Sequence, residues 1–186
     1  MSYQWSYGDI LEAVEKITPE DQPALIHGDR VTNWGDFVRR TNNLARNFLA
    51  SGVQPGEKIA FYMRNCPEYS EGIAASFKAG LTHVNVNYRY IEHELIYLID
   101  NSDATVVVYH SEFQHYVDEI ENQLPGVKHW LVVDNGKASS YEDMANNGDG
   151  SSPGIKHSAD DLLFLYTGGT TGMPKGVMWR HDDLFQ

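Results

Sequence analysis

Hydrophobic positions along the chain alternate between short apolar runs and longer stretches with the spacing of an amphipathic helix. Runs typical of strands cover residues 58–63, 83–87, 105–109, 129–133 and 161–166. Stretches typical of helices cover residues 37–49, 68–78, 92–100 and 113–124. Strands separated by helices of this length form βαβ units, whose right-handed crossovers place helices on either side of the sheet. The pattern therefore predicts an α/β fold, with a mainly parallel sheet and helices on both faces.

Two local patterns refine this fold. Residues 24–32 (ALIHGDRVT) predict an early β-hairpin with Gly28 and Asp29 at its turn, and Thr32 is placed to cap the helix that follows. Residues 134–158 are instead rich in Gly, Ser, Asn and Asp, and we expect a mobile connector with at most one short helix at 141–145.

The composition narrows the class of protein. Of the 186 residues, 41% are hydrophobic and 12% aromatic, which is enough to fill a globular core. The net charge is −12 and no basic run exceeds Arg39-Arg40, so a nucleic-acid binder, which needs a basic face, is disfavoured. The N-terminus lacks a signal-peptide pattern, and no apolar run approaches the roughly 20 residues that span a bilayer. We expect a cytoplasmic protein with at most peripheral membrane contact.

The candidate chemistry lies in residues 166–176, YTGGTTGMPKG. Glycines let the backbone turn sharply and approach a ligand closely, and successive N–H groups in such turns form an anion-binding nest. Threonine hydroxyls add donors, and the long side chain of Lys175 adds a positive charge that can reach the outer phosphates of a nucleotide. This combination favours phosphate binding, with a flexible surface loop as the alternative.

The spacing of this loop excludes two familiar phosphate sites. A Walker A loop needs Gly before its lysine and Ser or Thr after it, whereas Pro174 and Gly176 flank Lys175. The dinucleotide fingerprint GxGxxG also fails, because Gly168 and Gly169 are adjacent. The apolar residues 177–179 (VMW) that follow favour a strand, so we expect a strand–loop–strand arrangement.

The stretch YTGGTTGMPKGVMW resembles the signature loop of the AMP-forming acyl-CoA synthetases, within the ANL superfamily of adenylate-forming enzymes. The family pattern is roughly [YF]-T-S-G-T-T-G-x-P-K-G-V, and the one departure here is Gly168 in place of the usual serine. The segments GVQPGEKIAFYMRNCPEY and NVNYRYIEHELIYLIDNSDATVVV also resemble family segments, so the similarity runs from about Pro23 to the C-terminus. The residues of these motifs resemble those of bacterial fatty-acyl or steroid-acyl CoA ligases more than those of peptide-synthetase modules.

The resemblance implies a two-step reaction. A carboxylate attacks the α-phosphate of ATP to give an acyl-adenylate and pyrophosphate, and the CoA thiolate then displaces AMP to form the thioester. The loop would grip the β- and γ-phosphates together with Mg²⁺, and Lys175 would offset the charge that builds on pyrophosphate. By position, the contacts to ATP are Thr167, Gly168, Gly169, Thr170, Thr171, Gly172 and Lys175. The resemblance does not assign the residues that would bind the metal.

The resemblance also sets the expected extent of the chain. Residues 1–186 would form part of the large N-terminal domain of such a ligase, about its first third. We divide them into α/β layers (1–133), a polar connector (134–160) and a phosphate-loop segment (161–186). The adenine, CoA and acyl sites would lie outside this chain, which would be inactive by itself.

Two alternatives stay open at this point. The chain could be a non-catalytic, nucleotide-binding module that self-associates through an exposed sheet edge or apolar face, or part of a peptide-synthetase-like adenylation domain. Other candidate residues favour structural roles. Cys66 has no base partner visible in the sequence, and the paired carboxylates Asp160-Asp161 and Asp182-Asp183 stand where capping is expected. Arg180 and His181 are likewise interpreted as structural.

Overall fold

The computed structural model describes residues 5–167 and 173–184. In chain order the elements are α1 (Tyr7–Glu15), β1 (Pro23–His27), β2 (Arg30–Asn33), α2 (Trp34–Ala50), β3 (Lys58–Tyr62), α3 (Pro67–Lys78), β4 (Thr82–Val86), α4 (Glu92–Asn101), β5 (Ala104–His110), α5 (Gln114–Ile120), β6 (His129–Val133), α6 (Ser140–Asn146), β7 (Leu162–Thr167) and β8 (Lys175–Arg180). Short 3₁₀ turns flank α5 and follow β8.

The main sheet has six strands in the order β6-β5-β3-β4-β7-β8. All neighbouring pairs are parallel except β7 and β8, which pair antiparallel. Strand β3 lies at the centre, where a parallel strand is covered on both faces, and its residues 59–62 are all buried. The predicted α/β fold with a mainly parallel sheet is therefore confirmed.

Helices cover both faces of this sheet, as the crossover rule predicts. Alternate residues of β3 divide between two cores, with Phe61 in one and Tyr62 in the other. The first core contains side chains of α2, α3 and α6, and the second contains side chains of α4 and α5. Because successive strand side chains point to opposite faces, the two cores are separated by the sheet itself.

The predicted early hairpin is confirmed as a separate two-stranded sheet formed by β1 and β2. Gly28 adopts a positive φ of 57° at its turn, a conformation that favours glycine. The expected cap at Thr32 is wrong. Helix α2 begins one residue later than that prediction requires, with Asn33 at its N-cap, because strand β2 continues through Thr32 to Asn33 before the helix starts.

The polar connector is packed along one side of α2. The short helix predicted at 141–145 is present as α6, and the Ser139 side chain caps it by accepting from the backbone N–H of Glu142. Side-chain amides of α2 donate to carbonyl oxygens of this segment: Asn43 to Ala145 at 3.0 Å, and Asn42 to Gly150 at 2.8 Å. A partly buried arginine adds a second link, because Arg40 forms ion pairs with carboxylates of α3 and α6.

Candidate nucleotide-phosphate site

The glycine-rich loop connects β7 and β8, as the predicted strand–loop–strand arrangement requires. The ladder between these strands runs from Leu162 opposite Arg180 to Thr167 opposite Lys175. Two predicted site residues, Thr167 and Lys175, are thus cross-strand partners at the loop end of the hairpin. The other five, Gly168, Gly169, Thr170, Thr171 and Gly172, lie outside the described residues.

The loop end of the hairpin lies at the carboxyl edge of the parallel sheet. Strand β7 pairs parallel with β4, through Asn85 opposite Leu165, so Thr167 ends β7 at the edge where β3, β4 and β5 also end. In open α/β sheets, ligands bind outside the carboxyl ends of the strands. Thr167 and its partner Lys175 therefore lie on the ligand-binding side of the fold.

Lys175 brings an available positive charge to this edge. Its side chain belongs to an exposed residue, and it forms no ion pair with any residue in the described part of the chain. Pro174, which precedes it, is buried and has a fixed φ. The lysine that follows this proline is exposed, which leaves its ammonium group accessible to an anion.

Tyr166 and Gly176 define the base of the loop. They pair across the ladder, and a Cβ added to Gly176 would lie 2.9 Å from Cζ of the Tyr166 ring. The Tyr166 hydroxyl donates to Asn101 Oδ1 at 2.9 Å, which ties the ring to the end of α4. Glycine is favoured at 176 because the tyrosine ring occupies the space that a side chain would take.

The carboxylates near the hairpin have structural partners. Arg180 forms ion pairs with Asp160 at 2.6 Å and with Asp183 at 3.0 Å. The Asp161 carboxylate accepts from the backbone N–H of Ser158 at the turn before β7, and Asp182 Oδ1 accepts from the backbone N–H of Trp5. These contacts agree with the structural interpretation of both acidic pairs and of Arg180.

The structure brings a histidine to the single cysteine. Cys66 Sγ lies 3.5 Å from Nε2 of His110, at the carboxyl ends of β3 and β5. His110 Nδ1 accepts from the backbone N–H of Arg64, so the neutral ring carries its proton on Nε2. Burial raises the pKa of the thiol to about 12 and lowers the pKa of the imidazole. Both groups are held neutral, which agrees with a packed thiol rather than a nucleophile.

Sequence reasoning missed a cationic group at the same edge of the sheet. The guanidinium of Arg64 lies 4.6 Å from the centre of the Tyr88 ring, and that of Arg89 lies 5.6 Å from it. Arg64 also pairs with Glu112, beyond the end of β5. The signal was present in the sequence, because each arginine follows a predicted strand within a few residues. What the sequence could not show is that the two strands are adjacent.

The described residues contain no helix that is both long and apolar enough to cross a membrane.

Taken together, the fold and hairpin define an α/β domain with a candidate phosphate-binding loop at its carboxyl edge. The sequence profile of the family described as "AMP-binding enzyme" matches residues 11–186. The chain belongs to this family, and the resemblance drawn from its loop is confirmed.

Curated relatives agree with this assignment. The chain is 36% identical over 198 residues to a medium/long-chain-fatty-acid–CoA/3-oxocholest-4-en-26-oate–CoA ligase of Mycobacterium marinum, covering 100% of this chain and 36% of that protein. It is 38% identical over 189 residues to a 3-oxocholest-4-en-26-oate–CoA ligase of Rhodococcus rhodochrous, covering 96% of this chain and 33% of that protein. The chain therefore spans about a third of the length of these relatives.

Solved structures match the fold. An anthranilate CoA ligase, AuaEII, solved with anthranoyl-AMP, superposes with a TM-score of 0.89 at 24% identity, covering 98% of this chain and 36% of that one. ATP-bound MatB from Rhodopseudomonas palustris superposes with a TM-score of 0.84 at 25% identity, covering 97% of this chain and 36% of that one.

Proposed function

We propose that this chain supplies the part of an acyl-CoA ligase that grips the phosphates of ATP. The observation that carries the proposal is the pairing of Thr167 with Lys175, which brings a hydroxyl-bearing and a cationic residue to one end of a hairpin at the sheet's carboxyl edge. The loop between them is the one with the family's signature sequence. Membership of the AMP-binding family and the names of the relatives support the same reaction.

Each residue of the loop has a physical role in this proposal. Backbone N–H groups of Gly168, Gly169 and Gly172 would donate to the β- and γ-phosphates, and the hydroxyls of Thr167, Thr170 and Thr171 would add donors. Lys175 would offset the charge that develops on pyrophosphate as it leaves. Mg²⁺ would reach the site with the nucleotide and neutralise part of its charge. Because Gly168 lacks the hydroxyl of the family's serine, the loss in phosphate binding would be on the order of 1 kcal/mol.

The acid substrate is proposed from the relatives. The relatives from Mycobacterium marinum and Rhodococcus rhodochrous are named as CoA ligases of medium- and long-chain fatty acids and of 3-oxocholest-4-en-26-oate. We therefore propose a fatty-acyl or steroid-type acid as the substrate class. CoA would be the second substrate, and the reaction would belong to fatty acid metabolism. A reaction that consumes ATP and CoA fits the cytoplasm.

We also propose that the 186-residue chain alone catalyses neither half-reaction. Support comes from its coverage of about a third of the relatives. One alternative is an adenylation domain of the peptide-synthetase kind, since the chain is 30% identical over 174 residues to tyrocidine synthase 3 of Brevibacillus parabrevis. Thioester formation with CoA, tested across a panel of fatty, steroid and amino acids, separates the ligase from the adenylation domain, because only the ligase would transfer the acyl group to CoA.

The test is carboxylate-dependent exchange of pyrophosphate into ATP. It would be run with this chain and with a ligase of the relatives' length that contains it, across that panel of acids. We expect exchange and thioester formation with fatty or steroid acids in the longer protein, and none in the 186-residue chain. Exchange by the short chain would overturn its inactivity, and none in the longer protein with any acid would overturn the ligase proposal.

A further inference from the structure

The strand that carries Lys175 is poorly fixed by its own side chains. Every residue of β8 is exposed or half-exposed, and Met178 at its centre is 65% exposed. Strand register is strongly specified where one face is buried and weakly specified where neither is. A slip of one residue along β7 would move Lys175 away from Thr167 and turn its side chain to the other face. Something besides burial must hold this register.

The residue that follows β8, His181, is buried, in contrast to the strand itself. His181 is 1% exposed. Its backbone N–H donates to the carbonyl oxygen of Asp161, next to the first residue of β7, at 2.9 Å. Its ring packs edge-on against Tyr7 and Phe77, with centroids 4.8 Å and 5.0 Å away. The open end of the hairpin is thus anchored in a buried aromatic cluster.

The N-terminus of α1 binds this anchor through the backbone. The N–H of Tyr7 donates to Nδ1 of His181 at 3.2 Å, and the N–H of Trp5 donates to Oδ1 of Asp182 at 3.3 Å. Helix α1 is itself fixed to the body of the domain, because Glu15 at its other end pairs with the buried Lys78 of α3. A chain of contacts therefore runs from α3 through α1 to the end of β8.

We propose that His181 is a positioning residue for the phosphate loop, and that α1 sets the register of β8 through it. The contact between Tyr7 N–H and His181 Nδ1 holds the end of β8 against β7, and the ladder carries this register to Lys175. The effect of His181 on ATP binding rests on the proposed function. Its effect on the pairing of β8 with β7 does not depend on that function. Neither α1 nor His181 belongs to the glycine-rich loop.

Two substitutions at one position test this contact between α1 and His181. Tyr7 is the first residue of α1, where proline is favoured, and Ser6 has the extended backbone that a following proline requires. Tyr7→Ala removes the ring and keeps the N–H. Tyr7→Pro removes both and places its ring carbon towards His181 Nδ1, so it breaks the whole contact. At the other partner, His181→Asn keeps an acceptor near the δ position, and His181→Gln moves it one bond further.

The first measurement is amide hydrogen exchange of the 186-residue chain, which needs no activity. We expect β8 amides to lose protection by at least about 5-fold more in Tyr7→Pro than in Tyr7→Ala, because the variant loses one hydrogen bond and its ring displaces His181, with β5 amides equal in the two variants. Equal β8 protection in both variants would overturn the proposal, as would an equal loss throughout the sheet.

The second measurement is the KM for ATP in pyrophosphate exchange by the longer ligase. We expect His181→Gln to raise this KM several-fold, and His181→Asn, which loses the same ring, to restore it. Equal KM values for the Asn, Gln and unsubstituted proteins would overturn the role in ATP binding. If the unsubstituted ligase shows no exchange, the proposed function fails, and hydrogen exchange still decides whether α1 sets the register.

Discussion

The ring of Tyr166 lies against the α-carbon of Gly176, its partner across the β7–β8 ladder. A methyl group at 176 would meet Cζ of this ring at 2.9 Å, and the ring cannot yield freely because its hydroxyl is bonded to Asn101. We therefore expect Gly176→Ala to lower the free energy of unfolding by about 1–3 kcal/mol, as overpacking does. Urea denaturation measures the change.

Gly126→Ala is the matched control for this substitution, because nothing lies within 4 Å of the added methyl group. In a Tyr166→Leu background the cost of Gly176→Ala should fall, since the obstructing ring is gone. The same cost in both backgrounds would contradict the assigned contact.

A buried ion pair joins α1 to α3. Lys78 is fully buried, donates to Thr41 Oγ1 and Asn42 Oδ1, and pairs with Glu15. Burial lowers the pKa of Lys78 and raises that of Glu15, so each charge depends on the other. Glu15→Gln leaves the ammonium group without its counter-charge, and we expect a loss of about 3 kcal/mol in the free energy of unfolding.

Asp36→Asn is the control for this pair, because it removes a carboxylate from the exposed ion pair with Arg39. An exposed pair contributes about 0.5 kcal/mol or less. If urea denaturation shows equal losses for Glu15→Gln and Asp36→Asn, the pair does not stabilise the junction of α1 and α3.

His83 should make the fold sensitive to acid. The single proton of the Tyr69 hydroxyl points to Asn85 Oδ1, so His83 Nε2 is the donor to that hydroxyl. His83 Nδ1 is buried and has no hydrogen-bond partner among the described residues. Burial lowers the pKa of His83 from 6.5 to about 4. As the pH falls below 6.5 the unfolded chain binds the proton first, so stability is lost between pH 6.5 and 4, by roughly 3 kcal/mol.

The free energy of unfolding should be measured by urea denaturation across this pH range. His83→Gln keeps a polar group near the Tyr69 hydroxyl without a proton to gain, so the slope with pH should flatten. The same substitution at the exposed His93 should leave the slope unchanged. A His83→Gln variant with the unsubstituted slope would contradict this account.

The exposed edge strand β8 should make the 186-residue chain associate. Met178 and its neighbours Val177 and Trp179 are exposed on an edge strand, which offers unpaired backbone groups to another chain. We expect sedimentation to show a mass that rises with concentration, and Val177→Lys to suppress this rise. Ile26→Lys, on the separate hairpin sheet, is the control. A clean monomer at all concentrations, without binding of an apolar dye, would contradict this prediction.

Local patterns predicted most of the fold. Strand β6 occupies the predicted residues 129–133, and the other strands of the main sheet begin or end within one residue or so of their apolar runs. These elements are predictable because alternation and helical spacing are local properties of the chain. The cap expected at Thr32 is at Asn33 instead, because strand β2 extends one residue further than the capping pattern indicates.

Contacts between residues that are far apart in the chain could not be predicted from the sequence. His110 approaches Cys66 only because β3 and β5 are neighbours in the sheet, and 44 positions separate the two residues. The bond between Tyr7 and His181 spans 174 positions. No periodicity joins such pairs, and one sequence shows only that each residue is present. The loop with Lys175 was recognisable because its chemistry lies within eleven consecutive residues.

The central claim is that Lys175 meets the phosphates of ATP, and one measurement tests it most directly. Pyrophosphate exchange should be compared in the longer ligase carrying Lys175→Ala, Lys175→Arg or the control Lys137→Ala, whose lysine is exposed on the connector. We predict that Lys175→Ala slows exchange on the order of 100-fold at an unchanged stability, that Lys175→Arg retains part of the rate, and that Lys137→Ala retains all of it. Exchange by Lys175→Ala at the unsubstituted rate would contradict the claim.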